Sequence, residues 1–113
     1  MKKRIIIAIP TDDGQIVRTR FSSSRAFLVV KVKSGKIIHQ EMRWNLLSQM
    51  MTSEDGYFYN LADCNVVIVK DVGPAHAQML ETKNIIVART GETDVMAAFL
   101  HYLKCMPQLS EVL

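Results

Sequence analysis

Cysteine is scarce in this chain. Only Cys64 and Cys105 occur, far apart and in neither a CxxC pair nor a zinc-type spacing. That excludes a disulfide framework and a recognisable structural zinc site, and it reads as two reduced, buried thiols in a reducing compartment. Long apolar runs are missing as well. Met1-Lys2-Lys3-Arg4 is followed by apolar Ile5 to Ile9, and Pro10 closes the run. This is too short for a signal-peptide core or a membrane span, and no other stretch approaches that length. A cytoplasmic protein without a membrane partner is expected. Excess charge is also absent. Fourteen Lys and Arg stand against eleven Asp and Glu, a net charge of +3 with a pI near 9.0. So mild a balance does not by itself argue for nucleic acid. Internal repeats, linkers and low-complexity segments are lacking.

The usual signatures of catalysis are also missing. There is no Walker or Rossmann glycine pattern, and no Ser/His/Asp or Cys/His constellation. Asp12-Asp13 is the one acidic pair that could suggest a metal-dependent nuclease. Two-metal chemistry needs several convergent carboxylates, and the Ile5 strand carries none. A non-enzyme is expected.

What is present is a chain of 113 residues, 49% hydrophobic and 22% charged. That suits one domain over residues 1–113, able to bury about two thirds of its unfolded surface without staples. Ile5 to Ile9 reads as a strand covered on both faces, because the run is continuously apolar and largely β-branched. Pro10 to Gly14 leaves it as a loop. Ala26 to Lys33 is the next strand, and Ser34-Gly35-Lys36 turns it back into Ile37 to Met42 as a hairpin. Asn45 to Gly56 reads as a loop, and Tyr57 to Ala62 as a short helix. Asn65 to Val69 is a second buried strand, and Gly73-Pro74 opens a helix with proline at its first turn. Ile85 to Ala88 reads as a third buried strand. Thr93 or Asp94 caps a final helix with Val95, Met96, Phe99, Leu100 and Leu103 on its apolar stripe; Pro107 stops it, and a frayed tail follows.

Right-handed crossovers place the Ile5, Val66 and Ile85 strands side by side and parallel, with the hairpin extending one edge. The expected class is therefore α/β: a three-layer α/β/α sandwich on a mixed five-stranded sheet. In such sheets ligands bind beyond the carboxyl ends of the parallel strands. That rim gathers Pro10–Gly14, Lys70–His76 and Arg89–Thr93, together with the segment Arg18 to Arg25. It collects Arg18, Arg20, Arg25, Lys70 and Arg89 around Ser22, Ser23 and Ser24. The N–H groups of the helix opening at Gly73 point the same way, and His76 stands one turn into that helix. Guanidinium groups, hydroxyls and a helix N-terminus form an anion site. His39 and His101 read as surface residues, and Met50-Met51 as packing.

Several stretches resemble one family. Ile7-Ala8-Ile9-Pro10-Thr11-Asp12-Asp13-Gly14, Phe21, Phe27-Leu28-Val29-Val30, Gly35-Lys36-Ile37, Ala62 to Val69 and Gly73-Pro74-Ala75 follow in the order seen in the dinitrogenase iron–molybdenum cofactor biosynthesis family. The resemblance covers most of the chain apart from about Asn45 to Asp55. It implies a ribonuclease-H-like fold and a non-catalytic carrier or scaffold. The implied cargo is the iron–molybdenum cofactor or another anionic metal–sulfur cluster, which need not be present in the isolated protein. Implied partners are metal-cluster donor or acceptor proteins, and a homo-oligomer is compatible with this. Where family members commonly carry His-Phe-Gly, this chain has Arg20-Phe21-Ser22. Where many carry a glycine pair, it has Lys70-Asp71, and Asn45 to Asp55 holds no histidine. Iron–sulfur clusters take thiolate or imidazole ligands, so these changes favour an anion held by arginine over direct ligation. The alternative reading is a small interaction or regulatory domain of the same fold that has lost the cluster.

Overall fold

The computed structural model describes residues 4–21, 24–44, 61 and 63–105. Five strands form one sheet: β1 (Arg4–Thr11), β2 (Ala26–Lys33), β3 (Lys36–Trp44), β4 (Val66–Val69) and β5 (Ile86–Arg89). Two helices are described, α1 (Pro74–Thr82) and α2 (Val95–Cys105). The strand order is β3-β2-β1-β4-β5. β1 pairs antiparallel with β2 and parallel with β4, and β4 pairs parallel with β5. The sheet is mixed and five-stranded, as the alternation of elements implies.

β1 lies at the centre because its residues are apolar on both faces. Every residue after Arg4 is buried. Ile5, Ile7 and Ile9 join Leu28, Val30, Val66 and Ile68 in one cluster, which Val95, Ala98, Phe99 and Tyr102 of α2 complete. Ile6 and Ala8 join Phe27, Val29, Val67 and Val69 in a second cluster, with Phe21, Val72, Ile85 and Leu80 of α1. Alternate side chains of a strand point to opposite faces, so each helix seals one face. In the β2–β3 hairpin, Ser34 and Gly35 both have positive φ, 56° and 76°. Two left-handed residues match the twist of the flanking strands, and glycine takes that conformation without cost.

One side chain fastens the entry end of the sheet. Asn65 accepts the Ile6 N–H on Oδ1 at 2.8 Å and donates its own N–H to the Ile6 carbonyl at 2.8 Å. Its carbonyl accepts the Ile86 N–H at 2.9 Å. Asn65 thus ties β1, β4 and β5 together, and stranding the Ile6 N–H would cost about 1–3 kcal/mol. The cap of α2 is Asp94, whose Oδ2 accepts the Ala97 N–H at 2.9 Å.

One expectation needs correction. The third parallel strand is not buried: it runs Ile86–Arg89 at the sheet edge, with Ile86 and Arg89 exposed and Val87 and Ala88 half-buried. An apolar run shows that a strand can be covered, whereas its place in the sheet depends on which neighbours exist. Among the described residues only β4 lies beside β5, and Ile85, the residue that is buried, precedes the strand. The hairpin's second strand is also longer than Ile37 to Met42, running Lys36–Trp44. The loop at Asn45 to Gly56 with Met50-Met51, nearly all of the Tyr57 to Ala62 helix, and Pro107 with the tail lie outside the described residues. Among the described residues, no helix is long and apolar enough to cross a membrane.

Candidate anion-binding rim

The carboxyl ends of β1, β4 and β5 share one rim, because the three strands are parallel. The chain's own segment crosses it. Val17 belongs to the cluster under α2 and Phe21 to the cluster under α1, so residues 17–21 pass over the strand ends from one face to the other. Backbone bonds hold this crossing. Arg18 N–H donates to the Pro10 carbonyl at 2.8 Å, Val17 N–H to Thr93 at 2.7 Å, and Phe21 N–H to Asp71 at 3.1 Å. Val95 N–H donates to Gln15 at 2.8 Å. The crevice where open α/β sheets usually receive ligands is therefore crossed by Arg18-Thr19-Arg20.

The exposed acidic pair beside this segment is structural. Asp13 accepts N–H bonds from Gln15 at 2.8 Å and Ile16 at 3.1 Å, which hold its carboxyl below the usual range. Asp12 accepts the Arg25 N–H on Oδ1 at 2.8 Å, and its Oδ2 lies 3.4 Å from the Arg18 guanidinium. Both carboxylates are occupied in shaping the loop. Asp12, Asp13, Ile16, Val17, Arg18 and Thr19 line a cleft of about 200 Å³. That is smaller than most small-molecule pockets.

The basic residues fall into two groups. Lys70 donates to Thr93 Oγ1 at 3.2 Å and so lies towards the α2 side, where Arg18 also meets Asp12. Arg20 lies on the α1 side, bridged to Asp71 two residues before the Gly73 that caps α1. Gly73 has no side chain to close the helix end, and the α1 N-terminus carries no acidic residue in its first turn. The His76 ring stands 6.1 Å from the Phe21 ring, so His76 shares this side with Arg20. Arg89 pairs with Val69 at the end of β5 and lines a pocket with Ala88, Ala98, His101 and Tyr102, the last three on α2. Arg25 is exposed at the start of β2, its backbone fixed by Asp12. Ser22 and Ser23 lie outside the described residues. Ser24 is buried and donates to the Phe21 carbonyl at 3.2 Å, which makes it part of the anchor.

The family model described as dinitrogenase iron-molybdenum cofactor matches residues 3–104. The chain belongs to this family. No curated relative matches it. Solved structures share its fold. A candidate dinitrogenase from Methanocaldococcus jannaschii is 16% identical, with 91% of each chain covered and a TM-score of 0.73. The apo orange protein from Desulfovibrio gigas is 24% identical, covering 93% of this chain and 92% of its own, with a TM-score of 0.73. A candidate NifB protein from Thermotoga is 19% identical, with 88% of each chain covered and a TM-score of 0.71. At these identities the likeness speaks for the fold.

In this member of the dinitrogenase iron–molybdenum cofactor family, a second polar cluster joins β3 to the segment that precedes β4, and sequence pattern alone did not single it out. Arg43 on β3 donates two bonds to Asp63, Nη1 to Oδ1 at 2.6 Å and Nη2 to Oδ2 at 2.9 Å, and a third from Nε to Glu41 at 2.6 Å. His39 pairs with the other Glu41 oxygen at 2.8 Å. The Arg43 bonds hold both the Asp63 and the Glu41 carboxyl below their ordinary values. The only clue in the sequence was the His39, Glu41, Arg43 alternation, which places all three on one strand face.

Cys64, beside this cluster, is buried at the end of β4 away from the rim, where its place before the strand put it. Burial, reinforced by the Asp63 carboxylate, pushes its thiol up from 9.0 to about 12. Between those values the folded chain keeps a proton that the unfolded chain releases, so stability falls as pH rises through that window. Thiolate is the reactive form, so Cys64 of the folded protein is expected to resist iodoacetamide at mildly alkaline pH and to react after unfolding. Peptide mass mapping checks this, and rapid labelling of Cys64 in the folded state would contradict it.

Proposed function

We propose that this protein is a non-catalytic carrier or scaffold whose cargo is an anionic metal–sulfur cluster or a molybdenum-containing cofactor, held on the rim. The observation that carries this reading is the placement of Arg20 beside the uncapped N-terminus of α1 in a chain of the dinitrogenase iron–molybdenum cofactor family. Two helices sealing opposite sheet faces support a three-layer α/β/α sandwich of the ribonuclease-H-like type. Among the described residues, no group of three or more His, Cys, Asp and Glu is arranged to hold a metal ion. The cargo would therefore arrive as a preassembled anion and be held by charge and hydrogen bonds. Asp12 and Asp13 are occupied by loop contacts, which favours a role without catalysis. Cluster donor or acceptor proteins in the cytoplasm are the partners this reading calls for.

A second reading has a specific observation behind it. Asp71 stands beside Arg20, and Asp12 faces Arg18, so acidic neighbours oppose part of the rim's positive field. This favours an interaction or regulatory domain that no longer carries a cluster. Anaerobic incubation with isolated iron–molybdenum cofactor, followed by gel filtration, metal analysis and an absorption spectrum, separates the two. Co-eluting molybdenum and iron with a visible spectrum support the carrier. Metal-free protein after that incubation leaves the interaction domain.

A further inference from the structure

We propose that the pocket between the end of β5 and α2 is a ligand site of its own, and that it takes a short-chain aliphatic carboxylate. The pocket lies on the α2 face of the sheet, whereas Arg20 lies on the α1 side. Its volume is about 120 Å³. That is well below the range of about 300–1,000 Å³ for drug-sized ligands, so an occupant has few non-hydrogen atoms. Alanine stands on both walls, Ala88 on β5 and Ala98 on α2, and a longer side chain at either position would fill the space.

The chemistry of the walls selects the occupant. Arg89 and His101 are exposed and mark the mouth. Arg89 takes part in none of the ion pairs among the described residues, unlike Arg18 and Arg43. Thr90 accepts the Glu92 N–H on Oγ1 at 3.0 Å, which leaves its hydroxyl proton to donate. Tyr102 is 8% exposed, and its hydroxyl is buried with no hydrogen-bond partner among the described residues. Buried polar groups are nearly always satisfied, so an orphan hydroxyl on a residue that lines a pocket points to a partner from outside the fold. Among the described residues no Asp or Glu lines the pocket. Donors gathered around one guanidinium select an anion. Ile68, Ala88 and Ala98 make the rest of the wall apolar. Such a wall disfavours inorganic phosphate, which is charged and hydrated on every side. A short carboxylate divides its chemistry as the pocket does. Its oxygens accept from Arg89 and from the Tyr102 hydroxyl, and its hydrocarbon tail lies against the alanines and Ile68.

Titration of the isotopically labelled full chain with butyrate, followed by amide NMR, tests this. Saturable shifts are expected at residues 88–90 and 98–102, and inorganic phosphate should give none there. Acetate, shorter by two methylenes, should bind about tenfold more weakly. Tyr102→Phe should weaken butyrate binding by about tenfold. It should not lower the melting temperature, because the hydroxyl it removes has no partner in the fold. Ala88→Leu should fill the pocket and abolish binding in a protein whose spectrum remains that of the folded chain. Arg20→Ala should leave butyrate binding unchanged, so a failure here is distinct from a failure of the carrier reading. The absence of saturable shifts up to about 100 mM butyrate overturns the proposal. So does a Tyr102→Phe protein that binds as tightly as wild type or melts several degrees lower. Phosphate binding as tight as butyrate overturns the assignment to carboxylates, and shifts confined to residues 17–21 overturn the placement.

Discussion

Phe21→Ala is expected to lower stability by about 3–5 kcal/mol, a large share of what a domain of this size possesses. Phe21 is 1% exposed, and its ring lies 5.3 Å from that of Phe27 and 6.1 Å from that of His76. It is the anchor at the α1 end of the segment that crosses the rim. Removing the ring leaves a cavity between that segment, β2 and α1, and the surrounding strands are too well paired to collapse into it. The backbone bond from Phe21 N–H to Asp71 depends on the same anchor. The effect should therefore reach function. Molecules that remain folded should hold Arg18 and Arg20 less firmly and bind anions more weakly. Phe21→Leu keeps most of the volume and should cost less than about 1.5 kcal/mol. Urea denaturation of the three proteins measures the difference. A loss below about 1 kcal/mol for Phe21→Ala would mean that the crossing segment is fixed by its backbone bonds and not by the ring.

The contrast between Phe21 and Arg20 shows what sequence pattern can convey. Strand identity was legible because a strand covered on both faces demands an unbroken apolar, largely β-branched run, and the runs at Ile5, Ala26 and Val66 supply it. The turn at Ser34-Gly35, proline at the start of α1 and the cap at Asp94 were legible because each rests on chemistry within a few residues. The edge position of β5 was not, since Ile85-Ile86-Val87 has the same local pattern as a central strand. The rim was legible as a collection of loops, because parallel strands must end on the same side. That residues 17–21 lie across it was not, because it depends on Val17 and Phe21 entering clusters on opposite faces. A single apolar residue in a polar loop carries no period to betray where it goes. The split between Lys70, drawn to Thr93, and Arg20, set beside Asp71, has the same origin: both are distant pairings, 23 residues apart in the case of Lys70 and Thr93.

That split determines how Arg20 should respond to substitution. Arg20→Ala is expected to weaken binding of molybdate-like, phosphate-like or carboxylate-bearing anions, and of isolated iron–molybdenum cofactor, by about tenfold or more. A guanidinium remains protonated and has no lone pair, so it cannot replace imidazole as an iron ligand. It can donate paired hydrogen bonds to oxyanions, each contributing roughly 1.5–3 kcal/mol when desolvated. The exposed position of Arg20 argues for the lower end of that range and for a loss that leaves stability nearly unchanged. Asp71 sharpens the test. Its carboxylate sits on the residue bridged to Arg20, so an incoming anion must work against it. Asp71→Asn removes that charge while keeping the Phe21 N–H bond, which uses the Asp71 backbone carbonyl. It should therefore strengthen anion binding where Arg20→Ala weakens it. Calorimetric titration of wild type and both variants, at low and at moderate salt, reads the two signs directly. Both effects should shrink as salt screens the rim. Equal affinities in all three proteins would remove Arg20 from the site and leave the Lys70 side of the rim to account for any binding that persists.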